Sequence, residues 1–391
     1  MRPFDAPALA GRVQAIPPFH VMEVVREAQR LEALGTDVIH LEVGEPDFLS
    51  PEPVVARAMD ALESGRTRYT DARGIEPLRR AISEWYAAQG MTVPAERIQI
   101  TQGASAALLL ALAVTTNPGQ GVLMADPAYP CNPRFIETVG GAVHWLKTDA
   151  STAFHPTRGQ LEAEACPSDC ALMLAHPANP TGMAVPHDDL AAMLGWCGDT
   201  GRHAIVDEIY SNLSFNGMQS SLSISDQHFV AGSFSKYFNM TGWRLGWLVV
   251  PEYALDATQK LAQHLFICAP SFAQEAAVAC FDAPVLALAE SRRRELEARR
   301  DMLIPALRGL GFEIATVPDG AFYLFVDAHK LTHDAQEFCL DLIRETGVAV
   351  TPGIDFSASL PPTWLRIAYT QPIARLHEAV QRIATYLDAR V

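Results

Sequence analysis

The sequence predicts an α/β fold. A large domain with a mostly parallel seven-stranded sheet covered by helices is joined to a smaller α+β domain assembled from both ends of the chain. Three observations lead there. Short β-rich runs alternate with helical stretches through the middle of the chain, the pattern of a parallel sheet with crossover helices. Most of those runs are continuously apolar rather than alternating, as strands buried on both faces are. After Asp282 the pattern changes to one long charged amphipathic stretch and then to a different mixture of strands and helices. The length of 391 residues also exceeds what one simple core fills.

The elements follow in order. Leu41–Val43 reads as a strand that, with the helix before it, joins the smaller unit. The large sheet is expected from Ile98–Thr101, Gly121–Ala125, Ala142–Leu146, Ala171–Ala175, His203–Val206, Phe229–Gly232 and Leu245–Val250, with helices such as Ser105–Val114 and His187–Cys197 between them. A long helix runs from Asp282 to Leu310 and stops at Gly309 and Gly311. Phe322–Val326, Val348–Val350 and Leu365–Ala368 follow as strands, then a final helix from Pro372 to Asp388. This divides the chain into an arm and part of the small domain (1–46), a large domain (47–285) and a small domain entered through the long helix (286–391).

Composition narrows the partners. Apolar residues make up 49% and charged residues 19%, an ordinary soluble balance. The net charge of −15 opposes binding to nucleic acid or to an anionic membrane surface. Arg292, Arg293 and Arg294 sit among glutamates and read as a solvated helix face. The seven cysteines are scattered. Cys166 and Cys170 lack a second pair or a histidine cluster in sequence, so free thiols and a reducing cytoplasm are expected, and no metal. Residues 1–18 show no signal-peptide pattern, and the longest apolar run, Ala106–Val114, is too short to span a bilayer.

The chemistry centres on Ser233-Phe-Ser-Lys236. The lysine follows a buried strand in an apolar setting, where desolvation lowers the pKa of an amine and makes it nucleophilic. Two readings compete: Schiff-base chemistry, and the Ser-x-x-Lys nucleophile of penicillin-binding proteins and β-lactamases. The second needs a Lys-Thr-Gly after the lysine. None occurs, and Lys147-Thr148-Asp149 lies far upstream without the glycine. Tyr210-Ser-Asn212 resembles another element of that class but precedes the motif where it should follow.

The surroundings favour the Schiff base. Asp207-Glu-Ile-Tyr210 ends a strand, at the edge where α/β sheets bind ligands. An acid there can keep a pyridine nitrogen protonated, and the tyrosine can reach a ring oxygen. Asn179-Pro-Thr-Gly182 also follows a strand, although an Asn-Pro turn alone is ordinary. Thr101-Gln-Gly103-Ala104-Ser105 opens a helix with small residues, as a phosphate site requires, and Arg244 offers a charged partner. No P-loop, no Gly-x-Gly-x-x-Gly after a strand and no His-Glu-x-x-His is found. The twelve histidines read as packing or surface residues, with His176 and His264 as lesser candidates for a pocket.

Together these motifs resemble those of class I/II aminotransferases of fold type I, the aspartate aminotransferase superfamily. The resemblance rests on Gly44-Glu-Pro-Asp-Phe48, Tyr69-Thr70 followed by Gly74, Asn179-Pro-Thr-Gly182, Asp207-Glu-Ile-Tyr210, Ser233-Phe-Ser-Lys236, Thr241-Gly-Trp-Arg244 and Trp364-Leu-Arg366, in the family's order and across almost the whole chain. It implies a pyridoxal 5′-phosphate enzyme in which Lys236 forms the Schiff base and Asp207 pairs with the ring nitrogen. Asn179 and Tyr210 would bind the ring oxygen, and Tyr129 would stack on the ring. Gly103, Ala104, Ser105, Ser233 and Arg244 would hold the phosphate. Tyr69 would reach the neighbouring subunit's phosphate, which implies a homodimer with shared active sites. Arg366, assisted by the Gly44 amide, would bind the substrate carboxylate.

The implied reaction moves an amino group from an L-amino acid to a 2-oxo acid by a ping-pong mechanism. One aspartate-specific subgroup has a lysine in the helix after the phosphate loop. Ser105–Thr116 has none, which favours a neutral or aromatic donor unless another arginine, Arg12 or one from the partner subunit, serves instead. A carbon–sulfur lyase shares the same cofactor residues and stands as the alternative. A DNA-binding sensor is disfavoured, because no basic N-terminal domain precedes these motifs.

Overall fold

A computed structural model describes residues 8–14 and 16–390. The first seven residues of the expected arm, Ala15 and Val391 lie outside them. The strands are β1 (Ile39–His40), β2 (Ile98–Thr101), β3 (Gly121–Asp126), β4 (Ala142–Lys147), β5 (Asp169–Ala175), β6 (His203–Asp207), β7 (Phe229–Ser233), β8 (Gly246–Val249), β9 (Tyr323–Asp327), β10 (Val348–Ala349), β11 (Thr351–Pro352) and β12 (Trp364–Ala368). Seven of them form the central sheet in the order β2-β8-β7-β6-β5-β3-β4. β8 alone runs against the others, being antiparallel to both β2 and β7.

Continuous apolar runs become strands because both faces of this sheet are covered. Along β3 and β5, Leu123, Leu172 and Leu174 enter one core with Trp85, Tyr86 and Trp247. Val122, Met124, Ala171 and Met173 enter another with Leu108, Leu110 and Phe229 on the opposite face. Each fully buried aliphatic side chain contributes about 1.5–3 kcal/mol. Gly232 sits opposite Trp247 in the register, and a Cβ there would lie 2.1 Å from the indole. Glycine is what lets the ring lie flat on β7.

Several expectations shift. β4 is an edge strand with exposed and half-buried positions, because only β3 pairs with it. The strand expected at Leu41–Val43 lies at Ile39–His40, where it pairs with β10. By Glu42 the backbone carbonyl is taken by the Thr351 hydroxyl and by Arg366. The expected strand Val348–Val350 is split: β10 pairs with β1, and β11 pairs with β12 after the chain crosses at Val350.

The second unit packs both chain ends together. Val24, Ala28, Leu31, Ile39 and Leu41 share one core with Leu296, Leu303, Phe322, Leu342, Ile367 and Ile383. The helix Ala283–Gly309 links the two regions. Its arginine run is not simply solvated. Arg293 is paired with Glu290 and Glu297, and Arg292 donates to Leu49 O and Asn239 Oδ1. Only Arg294 is largely exposed. These side chains fasten the linking helix to the loops that carry the site.

All seven cysteines are free. His144 and Asp169 approach Cys166 across the strands, one histidine and one carboxylate rather than a second cysteine pair or a histidine cluster. Asp169 Oδ2 is occupied there, accepting from the Cys166 N–H at 2.6 Å and facing His144 Nδ1 at 2.9 Å, so it ties the turn to β4. Among the described residues, no single helix is long and apolar enough to cross a membrane.

Candidate active site

The register of the sheet assembles the site. Thr101, Gly246 and Ser233 stand side by side on β2, β8 and β7, and Ala175 stands beside Asp207 on β5 and β6. The loops carrying Gly103, Tyr129, Asn179 and Lys236 therefore leave one edge of the sheet. The order reverses between β3 and β5, the topological switch point at which such sheets bind ligands. A cavity of about 330 Å³ opens there.

Of the adjacent carboxylates only Asp207 faces the cavity. Glu208 turns away and accepts from the Ser221 N–H at 2.7 Å. Burial pushes the Asp207 carboxyl up to about 7, against the backbone N–H of Ile209 and the charge of Lys236. A buried carboxylate held this weakly lacks a strong cationic partner among the described residues.

Lys236 Nζ donates to Gly44 O at 2.6 Å. The amine borders the cavity but is poor in bulk water. Burial brings its pKa from 10.5 to about 8, with Glu45 opposing the shift and Arg366 and Arg244 adding to it. The sign gives a prediction. Below that midpoint the amine is protonated and inert; above it the free amine attacks carbonyls. Trapping of Lys236 by an aldehyde probe and borohydride is expected to rise with pH to a midpoint near 8 and then level off. A rate still climbing toward 10.5 in peptide-mapped protein contradicts the desolvated setting.

Two arginines in the cavity have no carboxylate partner among the described residues. Arg366 is buried. It donates to Glu42 O at 2.6 Å and to Asn179 Oδ1 at 3.1 Å, and its Nε has no partner. The rings of Tyr323 and Phe356 lie 4.5 and 4.7 Å from the guanidinium carbon. Arg244 is more open and has a backbone φ of +51°; its Nη1 donates to Thr241 O at 3.0 Å. It leans against the start of the helix Gly103–Thr115, whose preceding residue provides no side-chain cap. A Cβ on Gly103 would meet Arg244 Nη2 at 2.9 Å, and one on Gly246 would meet the Ala104 nitrogen at 2.8 Å. Free helix N–H groups, a guanidinium and absent side chains make a cradle for an anion.

The cavity is lined by Gly44, Ala104, Ser105, Tyr129, Asn179, Asp207, Tyr210, Ser233, Lys236, Arg244 and Arg366. Gly103 lies beneath Arg244, and Tyr69 is 83% exposed and outside this cavity. His176 is instead a packing residue whose Nδ1 accepts from the Val185 N–H, and His264 is exposed on the helix Leu255–Leu265. Sequence reasoning missed Tyr323, which read as part of a core strand. It also missed the apolar wall of Phe19, Val21, Met22 and Val25, which comes from the helix Val21–Ala33 and the residues before it.

Comparison with known proteins places the chain in a family. The family model described as aminotransferase class I and II matches residues 36–383. The chain is 37% identical to a valine–pyruvate aminotransferase of Mycobacterium tuberculosis over 96% of this chain and 97% of that protein. It is 32% identical to an aspartate aminotransferase of Thermotoga maritima, over 98% of this chain and 100% of that protein. The crystal structure of an aminotransferase from Mycobacterium tuberculosis superposes with a TM-score of 0.94 at 36% identity, covering 98% of this chain and 100% of that one.

Proposed function

The chain belongs to the class I and II aminotransferases, and from that premise we propose how its cavity moves an amino group from an L-amino acid to a 2-oxo acid. Members of this family depend on pyridoxal 5′-phosphate. One observation carries the reading: a desolvated lysine and a weakly held carboxylate share a cavity with two arginines that no acid among the described residues neutralises. The cofactor fits that set. Its phosphate is an anion for the cradle, its protonated ring nitrogen is a cation for Asp207, and its aldehyde needs a free amine.

Arg244, Ser233 and the amides of Gly103, Ala104 and Ser105 would hold the phosphate. Asp207 would keep the ring nitrogen protonated, Tyr129 would stack on the ring, and Asn179 and Tyr210 would donate to its oxygen. The bound cofactor supplies an electron sink for the charge that develops at the substrate Cα. Lys236 anchors it, then takes the proton from Cα as general base. Arg366 holds the substrate carboxylate through its fork, which keeps Cα within reach of Nζ. Donor and acceptor would use the same Arg366, so the first 2-oxo acid leaves before the second enters, a ping-pong order.

The donor is proposed to be neutral or aromatic. Among the described residues, the cations lining the cavity are Lys236, Arg244 and Arg366, and all three have roles in this reading. Arg12 donates to Thr138 O and does not line the cavity. A second substrate carboxylate would face Phe19, Val21, Met22 and Val25 without a counter-charge. Valine with pyruvate, named for the Mycobacterium tuberculosis relative, is the natural first pair to test. In a donor screen against several 2-oxo acids, kcat/KM for neutral or aromatic donors should exceed that for aspartate by more than about tenfold. Aspartate as the best donor would overturn this assignment.

The exposure of Tyr69 supports a homodimer in which it serves the other subunit's site. The free cysteines support a reducing, cytoplasmic setting. The core that joins residues 24–41 to 296–386 supports division near residues 46 and 285, with Tyr210, Leu213 and Phe215 of the large domain packing onto it.

A further inference from the structure

We propose that Tyr323 is a positioning residue that turns the Tyr210 proton into the cavity while seating Arg366; this rests on the cofactor reading above. The two hydroxyl oxygens lie 2.8 Å apart, with the rings edge to face at 85°. Both side chains are buried, Tyr323 completely. The Tyr323 hydroxyl has no freedom to leave. A Cβ on Gly44 would lie 2.2 Å from it, so the glycine backbone closes that side. Its ring face rests on the Arg366 guanidinium at 4.5 Å.

Proton counting then assigns direction. Two phenols share one hydrogen bond, which leaves one O–H free to point elsewhere. The better donor of a phenol pair is the more acidic one. A cation against the face of Tyr323 draws electron density from that ring and favours it as donor. Tyr323 therefore donates to Tyr210 Oη, and the Tyr210 proton is directed to an outside acceptor. A donor fixed before the ligand arrives needs no reorganisation when it is used. Tyr210 has no other side-chain hydrogen-bond partner among the described residues that would orient it.

The test uses the dimeric holoenzyme and Tyr323→Phe, which keeps the ring on Arg366 and removes only the hydroxyl. A hydrogen bond to the cofactor's ring oxygen favours the oxygen's anionic form, so weakening it lets the lysine–cofactor nitrogen keep its proton to higher pH. The midpoint of the pH titration of the visible absorbance should rise by about half a unit or more. KM for the donor should change little and kcat should fall, because Arg366 keeps its seat. In a Tyr210→Phe background, adding Tyr323→Phe should leave the midpoint where Tyr210→Phe put it, since the effect acts through Tyr210. An unchanged midpoint in the single variant, or the same added shift in the Tyr210→Phe background, overturns the proposal. A wild-type protein with no titrating band that Lys236→Ala removes would overturn the cofactor reading first, and this one with it.

Discussion

Replacing Lys236 with alanine is expected to lower turnover by at least about 10⁴-fold, because one change removes both the anchoring amine and the general base. The loss should appear in kcat, with the cofactor still bound through its phosphate and ring contacts. The fold should survive. An amine whose pKa falls from 10.5 to about 8 on folding destabilises the native state while it is charged. That penalty is full below pH 8 and fades as pH rises toward 10.5, so when both proteins are compared without cofactor at neutral pH the alanine variant loses an unfavourable charge. An unfolding midpoint equal to or above that of the wild type would show that activity was lost through chemistry. A variant that turns over within tenfold of the wild type would contradict the role of Lys236.

Arg366→Ala is expected to carry the next largest effect. Its guanidinium is buried, held by Glu42 O and Asn179 Oδ1 and clasped between two rings, with Nε unpaired. Removing one partner of a buried charged contact costs about 2–5 kcal/mol, which is between about thirtyfold and several thousandfold in kcat/KM. Most of that should fall on KM. Arg366→Lys should recover only part, since an ammonium keeps the charge but loses the fork. The wild type should prefer a donor's free carboxylate over its primary amide, and Arg366→Ala should lose that preference. Equal discrimination in both proteins would place the carboxylate elsewhere.

Much of this architecture was legible because the signals are local. A strand buried on both faces needs consecutive apolar residues, which located most of the central strands, and all seven have ends within two residues of those observed. The candidate site was legible because side chains at the ends of these strands sit on short loops leaving one edge of the sheet. Asp207, Asn179 and Lys236 could be singled out from their place after a strand, and the structure brings them to one cavity. What escaped depends on distant contacts. Tyr323 looks like any strand aromatic until Tyr210, Gly44 and Arg366 are placed around it. Arg292 and Arg293 look solvated until the loops at Asn239 and Phe215 fold against them. The break at Val350 follows from its two flanking strands pairing in different sheets, which no local pattern encodes.

In the proposed reading Lys236 is the residue that bonds the cofactor. Borohydride reduction of the purified holoprotein, followed by proteolysis and mass spectrometry, tests it directly. One reduced pyridoxyl-phosphate adduct per chain is expected on the peptide containing Ser233-Phe-Ser-Lys236, absent from Lys236→Ala. An adduct on another lysine, or one that persists in that variant, would contradict it.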